Sequence, residues 1–378
     1  MTTHVVILGA GFGGLELATR LSDELADGVR VTLIDKSDSF VFGFKKLDVM
    51  FGHQSLDEVR LAYRDIAKPG VEFRQETVTS IDPESRRVVT DHGTYDADIL
   101  VVSLGADLDP AATPGLVEGG HEFYSNEGAA ALRDVVAAFD SGTVVIGVLG
   151  NLFKCPPAPY ETAFMLHESL VQRGARDAVT MYVVSPLPRP IPVSAEASDA
   201  ILSLLAERGI QHWPGSLVNR LDPEANVAFL ADGRELAYDL FLGVPVHCAP
   251  PVVADSPLAE NGWIAVDPTT FATRFPGVYA VGDVTSAPVP RAGVFAEGEA
   301  GTVAEVLIAQ LRGGAAPPPY QGAAVCYVEM GDARVGGVNV NFLAGSSPTA
   351  MFQPPSAELA REKREFGASR RRRWFGHA

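Results

Sequence analysis

A chain of 378 residues, 47% hydrophobic and 20% charged, is long enough for two or three domains with their own cores and is too apolar to be disordered. Its formal net charge of −17 excludes a nucleic-acid-binding body, because affinity for phosphates rests on Lys and Arg. With only Cys155, Cys248 and Cys326, no C-x-x-C and no zinc-like Cys/His spacing, a structural metal site and a disulfide framework are both disfavoured.

His4-Val5-Val6-Ile7-Leu8 reads as a buried strand, and nothing resembling a signal peptide precedes it, so the expected compartment is the cytoplasm. No apolar run approaches the ~20 residues that span a bilayer. Next comes Gly9-Ala10-Gly11-Phe12-Gly13-Gly14, then a helix pattern from Leu15 to Leu21 and a strand from Val29 to Ile34 that ends at Asp35. This order is the whole dinucleotide fingerprint. Gly9 permits the tight turn, Gly11 admits a pyrophosphate, and Gly14 lets helix and strand pack closely. The helix N-terminus offers free N–H groups to phosphate, and Asp35 is spaced to accept hydrogen bonds from a ribose. Further on, Tyr95 to Ala106 is a strand closing in a small-residue turn at Gly105, and Phe275 to Val284 is a strand that stops at Gly282-Asp283.

Together these segments resemble the two-dinucleotide-binding-domain flavoproteins. The resemblance implies an α/β fold with two Rossmann-like domains and FAD as cofactor, with Asp283 on its ribityl chain or phosphate. It implies an FAD domain split over residues 1–105 and 246–312, an inserted second Rossmann-like domain over 106–245, and a small C-terminal module over 313–378. The Pro-rich stretch Asp107 to Gly115 and the segment Cys248-Ala249-Pro250-Pro251 read as outgoing and returning linkers, and Gly313 to Pro319 as the hinge to the module.

The inserted domain keeps an apolar strand, Thr143 to Val148, but Gly147-Val148-Leu149-Gly150-Asn151 is not G-x-G-x-x-G. Pro156 and Pro157 cannot donate backbone hydrogen bonds, so a nicotinamide dinucleotide loses its phosphate cradle. In its place stands Lys154-Cys155-Pro156-Pro157-Ala158-Pro159-Tyr160-Glu161. This segment resembles the cysteine segment of the sulfide:quinone oxidoreductases and of the flavin subunit of flavocytochrome c sulfide dehydrogenase. Tyr238 to Pro245 and the segment Pro290 to Glu297, with Gly293, are similar to that family too.

The family likeness implies a redox pair of Cys155 with Cys326, 171 residues apart. Sulfide or a persulfide would be the donor and a quinone the acceptor. Glu161 would take up a proton, or alternatively cap the helix that follows. Cys248, beside His247, is expected to pack structurally. Two departures stand out: the third cysteine of many members is absent from His121 to Glu127, and no histidine lies within Ser185 to Pro192. No cysteine occurs in residues 36–50, so the flavin is expected to be non-covalent. The alternatives are a flavin subunit delivering electrons to a cytochrome, and a non-enzymatic thiol-flavin redox sensor.

The module supplies Phe342, Leu343, Met351, Phe352, Trp374 and Phe375, which by resemblance wall a quinone site. A helix pattern from Ser356 to Phe366 carries a thin stripe of Leu359, Lys363 and Phe366, a docking face for its own domain or for a second subunit in a homodimer. The end, Arg370-Arg371-Arg372-Arg373-Trp374-Phe375, is read either as a peripheral contact with the inner face of an anionic membrane or as a partner for the acidic body.

Overall fold

In the computed structural model residues 2–376 are described; the final two residues of the C-terminal module lie outside them. Two parallel sheets dominate. The first runs in the spatial order Val278–Ala280, Ile99–Val102, Thr3–Leu8, Val29–Asp35, Val71–Gln75. Thr3–Leu8 lies at its centre, and Val5, Val6, Ile7 and Leu8 are each 0% exposed, which is why that run is continuously apolar rather than alternating. A strand from residues 278–280 completes a sheet begun at residue 3, so the chain leaves this sheet and returns to it.

The second sheet is built from the intervening residues, in the order His121–Glu122, Leu240–Val244, Gly142–Val148, Val179–Ser185, Ile210–Pro214. Each parallel sheet has its own three-stranded antiparallel meander, over Val78–Asp96 in one and Val218–Ala237 in the other. The two crossings pair with each other: Asp107–Asp109 runs antiparallel to Val246–Cys248, with Asp107 opposite Cys248. The C-terminal residues add an antiparallel sheet of Ala323–Glu329, Val335–Asn341 and Thr349–Ser356, followed by a helix over Ala357–Phe375. One face of that sheet, with Val328, Val338 and Val340, joins the core containing Val144 and Phe164 of the second domain.

The end of the chain differs from the expectation of a peripheral membrane tail. The last helix does not stop near Phe366 but runs on to Phe375, started by Ser356, whose hydroxyl accepts the Leu359 N–H, and ended by left-handed Gly376. Its last two residues are buried: Trp374 is 0% exposed and packs edge-on against Phe12 and Phe40. The indole Nε1 donates to Glu16 at 2.9 Å, and Arg373 pairs with the same carboxylate. Four arginines therefore end a helix whose C-terminal dipole favours cations, while the two aromatic rings fill the core of the first domain, out of reach of a lipid surface. Among the described residues no helix is long and apolar enough to cross a membrane.

Candidate functional site

Both parallel sheets send a strand into a turn and a helix, and the two turns line one cavity. In the first, Gly9 adopts φ +96°, and an added Cβ would lie 2.3 Å from the Ser103 carbonyl oxygen. At Gly14 an added Cβ would meet the Gly9 oxygen at 1.9 Å. Gly11 is different: nothing lies within 4 Å of its missing Cβ, so its absence opens space instead of avoiding a clash. The helix Phe12–Leu25 has no side chain capping its N-terminus, which leaves its first N–H groups free for a ligand. Asp35 sits at the end of its strand, but its carboxylate accepts the N–H groups of Ala10 at 2.7 Å and Ser37 at 2.8 Å. It braces the turn and is not among the residues that line the cavity, and neither are Gly9 and Gly14.

In the second domain, residues 149–157 separate the strand Gly142–Val148 from the helix Ala158–Gln172. Cys155 holds φ +50°, a left-handed conformation that costs a non-glycine residue about 1–2 kcal/mol. Its N–H donates to the Arg291 carbonyl at 2.9 Å, and its own carbonyl accepts the Ala158 N–H at 2.9 Å. Pro156 and Pro157 follow at once, Pro157 as the N-cap of the helix, and Pro159 sits in its first turn, where a missing N–H is harmless. The backbone is thus pinned on both sides of the sulfur.

Cys326 reaches the same place from the opposite end of the chain. It lies on Ala323–Glu329, paired in register with Val338. A cavity of about 610 Å³ is lined by Cys155, Cys326 and Glu161 together with Gly11, Gly105, Gly282, Asp283 and Gly293. Both cysteines are free thiols, as is Cys248, which lies on the crossing ribbon outside the lining. Burial raises the Cys155 thiol well above its ordinary range, with the Glu161 carboxylate adding to the rise. Burial and Glu161 push Cys326 up to about 11. Neither thiol ionises readily by itself.

Glu161 is 3% exposed in the first turn of Ala158–Gln172. One carboxylate oxygen accepts the Glu329 N–H at 2.9 Å and lies 3.4 Å from the Lys363 ammonium, which also contacts Glu329 at 2.9 Å. Burial holds the carboxyl above the ordinary range although Lys363 and the Glu329 N–H pull it down. For Lys363, burial alone would lower its pKa, but Glu161 and Glu329 outweigh it and hold the ammonium above its ordinary range. Asp283 is likewise raised by burial, with Lys154 and Arg291 opposing.

Several residues without an assigned role in the sequence share this cavity: Lys46, Lys154, Lys363, Phe44 and Phe366. Lys363 and Phe366 belong to the thin stripe of the last helix, where three-residue spacing puts them on one side; that was the only signal available. Of the C-terminal apolar residues, Phe342 lines the cavity, whereas Leu343, Met351, Phe352, Trp374 and Phe375 do not. Among the described residues no group of three or more His, Cys, Asp or Glu is arranged to hold a metal ion.

Two parallel sheets joined by a paired crossing, with a glycine turn facing a cysteine turn, define a two-domain flavoprotein oxidoreductase. The chain belongs to the pyridine nucleotide-disulphide oxidoreductase family, whose sequence profile matches residues 3–308. It is similar to the sulfide-quinone reductase of Aquifex aeolicus, at 26% identity over 360 residues, 88% of this chain and 82% of the relative. An NADH dehydrogenase-like protein of Mycobacterium tuberculosis is 29% identical over 305 residues, covering 75% and 73% of the two chains. The solved structure of the Aquifex aeolicus sulfide:quinone oxidoreductase superposes with a TM-score of 0.87 at 23% identity, over 97% of this chain and 90% of that one, and this shows the shared fold.

Proposed function

We propose that the protein is an FAD-dependent sulfide:quinone oxidoreductase working through Cys155 and Cys326. One observation carries this reading: both sulfur-bearing residues line the cavity that the phosphate-binding turn also lines. The similarity to the Aquifex aeolicus sulfide-quinone reductase supports it. The domain division that goes with it assigns residues 1–105 and 246–312 to FAD, 106–245 to the inserted domain and 313–378 to the module.

The residues present suit the cofactor. Gly11 leaves the room a side chain would fill, and the uncapped helix Phe12–Leu25 offers N–H groups to a diphosphate. Gly105, Gly282, Asp283 and Gly293 line the same space, while Gly9, Gly14 and Asp35 shape the turn from behind. No cysteine in residues 36–50 is available for attachment, so the FAD is held non-covalently. Bound there, FAD would supply two-electron redox chemistry between the sulfur pair and a quinone.

The chain's own part begins with the oxidised pair, a Cys155–Cys326 disulfide. Hydrosulfide attacks one sulfur; a new S–S bond forms, the old one breaks, and a persulfide on one cysteine faces a thiolate on the other. That thiolate appears where burial disfavours it, so it is a strong electron donor. Glu161, touching Lys363, takes the proton that hydrosulfide brings and can return it toward the acceptor. Phe44 and Phe366 flank Lys363 at the cavity, with the Lys363 ammonium 5.5 Å from the Phe44 ring centre and the two rings 6.3 Å apart. They offer an apolar seat to a quinone ring, with an ammonium beside its developing charge. Val325, 37% exposed at the cavity, and Met351, 59% exposed on the same sheet, mark the face by which a quinone arrives. A peripheral membrane contact would be carried by that face, since the tail's aromatic rings, Trp374 and Phe375, are buried.

Anaerobic hydrosulfide should bleach the oxidised-flavin band of the purified enzyme, and a short-chain soluble quinone should restore it with sustained turnover. A single stoichiometric change without continuing flux contradicts the reading.

A further inference from the structure

Four cationic side chains line the cavity: Lys46, Lys154, Arg291 and Lys363. Two of them are spoken for. Lys363 is paired with Glu161 and Glu329. The Arg291 guanidinium lies 3.9 Å from the Trp263 ring centre and donates to the carbonyls of Asp283 and Thr285. The other two are not. Lys46 Nζ donates to the Tyr124 carbonyl at 2.5 Å, and Lys154 Nζ to the Ala106 carbonyl at 2.9 Å. Among the described residues neither ammonium has a carboxylate within 4 Å.

An ammonium has three donors, so each of these lysines keeps hydrogen-bonding capacity after its carbonyl contact. Partly buried cations without a counter-ion are costly, and the nearby acidic side chains do not supply one. Glu122 is occupied by the N–H groups of Tyr124 and Ser125 and by the Ser125 hydroxyl, and Glu127 is exposed. Asp107 pairs with Lys36 at 3.8 Å. Asp283 lines the cavity beyond ion-pair distance of Lys154. His247, 6% exposed and edge-on to Tyr124, gives its Nδ1 hydrogen to the Pro245 carbonyl and stays neutral. Burial and then Lys154 pull Lys46 down to about 8, as expected of two like charges sharing a cavity.

The location adds the second half of the argument. Lys154 precedes Cys155 in the pinned turn, and the carbonyl that Lys46 grips belongs to Tyr124, whose hydroxyl reaches the Cys155 carbonyl at 3.4 Å. Lys46 is therefore linked to the Cys155 carbonyl through Tyr124, and Lys154 is the sulfur's neighbour in the chain while its ammonium grips the Ala106 carbonyl. We propose that Lys46 and Lys154 form an anion seat beside Cys155 that holds a small sulfur monoanion, hydrosulfide or a persulfide ion, for attack. This rests on the sulfide reading above and names its positioning residues. The seat favours ionised hydrosulfide over neutral dihydrogen sulfide and over larger neutral thiols, because only an anion completes the two ammoniums.

The test reads the field at the sulfur without using catalysis. The holoenzyme is reduced, and Cys155 is modified in parallel with anionic iodoacetate and neutral iodoacetamide, both quantified at the Cys155 peptide by mass spectrometry. In the K46Q/K154Q double variant the iodoacetate-to-iodoacetamide rate ratio should fall about tenfold, the low end of charge-focusing effects. In K46R/K154R, which keeps both charges, the ratio should stay near that of the natural chain. The KM for hydrosulfide should rise in the Gln variants by more than kcat falls. A ratio unchanged in K46Q/K154Q overturns the proposal. So does a fall that appears only together with lost flavin, since the lysines would then be holding anionic groups of the cofactor. If hydrosulfide fails to reduce the natural enzyme while the ratio still depends on the two charges, the sulfide reading fails and the anion seat stands.

Discussion

The two strand–turn–helix units of this protein share a topology and differ in what the turn exposes. In the first, residues 9–11 join strand to helix, and a glycine without neighbours opens a space bordered by backbone N–H groups. In the second, residues 149–157 do the joining, two prolines remove donors, and a cysteine in a left-handed conformation occupies the turn. On the proposed function, one turn holds a diphosphate and the other a redox sulfur. On that reading a duplicated fold keeps one nucleotide site and gives the second turn over to sulfur chemistry, because the sheet fixes where a turn lies and the turn residues decide what it binds.

The largest expected effect is on the second turn. Cys155→Ser should lower hydrosulfide-driven flavin reduction by about 10³-fold or more, the scale of losing a nucleophile, with flavin content near that of the natural chain. Anaerobic rapid mixing measures it, and residual reduction within tenfold would break the contrast between the turns. Next comes the support of the first turn: Trp374→Ala should destabilise by about 3–5 kcal/mol, as expected for a fully buried aromatic. Denaturant unfolding reads this, whereas a ring lying on a membrane would cost nothing in solution.

Within the first turn, two alanine substitutions should behave differently. Gly14→Ala drives a Cβ into the Gly9 carbonyl and should cost about 3 kcal/mol. Gly11→Ala meets no protein atom, so the flavin-stripped chain should melt unchanged while flavin affinity falls about tenfold or more, roughly one close contact. Calorimetry on both variants sharpens which glycine serves the ligand and which the fold.

The last effect, read as a slope against pH, concerns Glu299, which accepts the Gly282 N–H at 2.5 Å and is held up to about 8, chiefly by burial. Between about 4.5 and 8 the folded chain keeps a proton that the unfolded chain has released, so this group subtracts stability as pH rises through that window. Glu299→Gln should flatten the fall in stability across it by up to one proton, seen in melting curves at several pH values.

How much of this was legible beforehand depended on how local the signal was. The first turn could be read because strand, glycines, helix and Asp35 follow each other within 33 positions, from 3 to 35. Cys155 stood out because two prolines follow it directly. Its pairing with Cys326 was an expectation from family likeness, and the packing of the Ala323–Glu329 strand on the second domain puts Cys326 in the lining of the same cavity. Lys363 was read as the apolar stem of a stripe, because nothing in a helix pattern says that its ammonium will be buried against Glu161. Trp374 beside four arginines looked like a surface feature; its partner Glu16 is 358 positions away, beyond any local pattern. Asp35 was correctly placed at the strand end, and the structure adds that its carboxylate accepts the N–H groups of Ala10, in the turn it stabilises, and of Ser37.

The most direct measurement is a paired rapid-mixing experiment on one anaerobic sample of holoenzyme, with hydrosulfide in one arm and NADH in the other. If the second turn has exchanged a nucleotide for a sulfur pair, hydrosulfide bleaches the flavin, the Cys155→Ser and Cys326→Ser variants lose that response, and NADH leaves the band intact. Rapid bleaching by NADH, or bleaching by hydrosulfide that survives loss of both cysteines, contradicts the account.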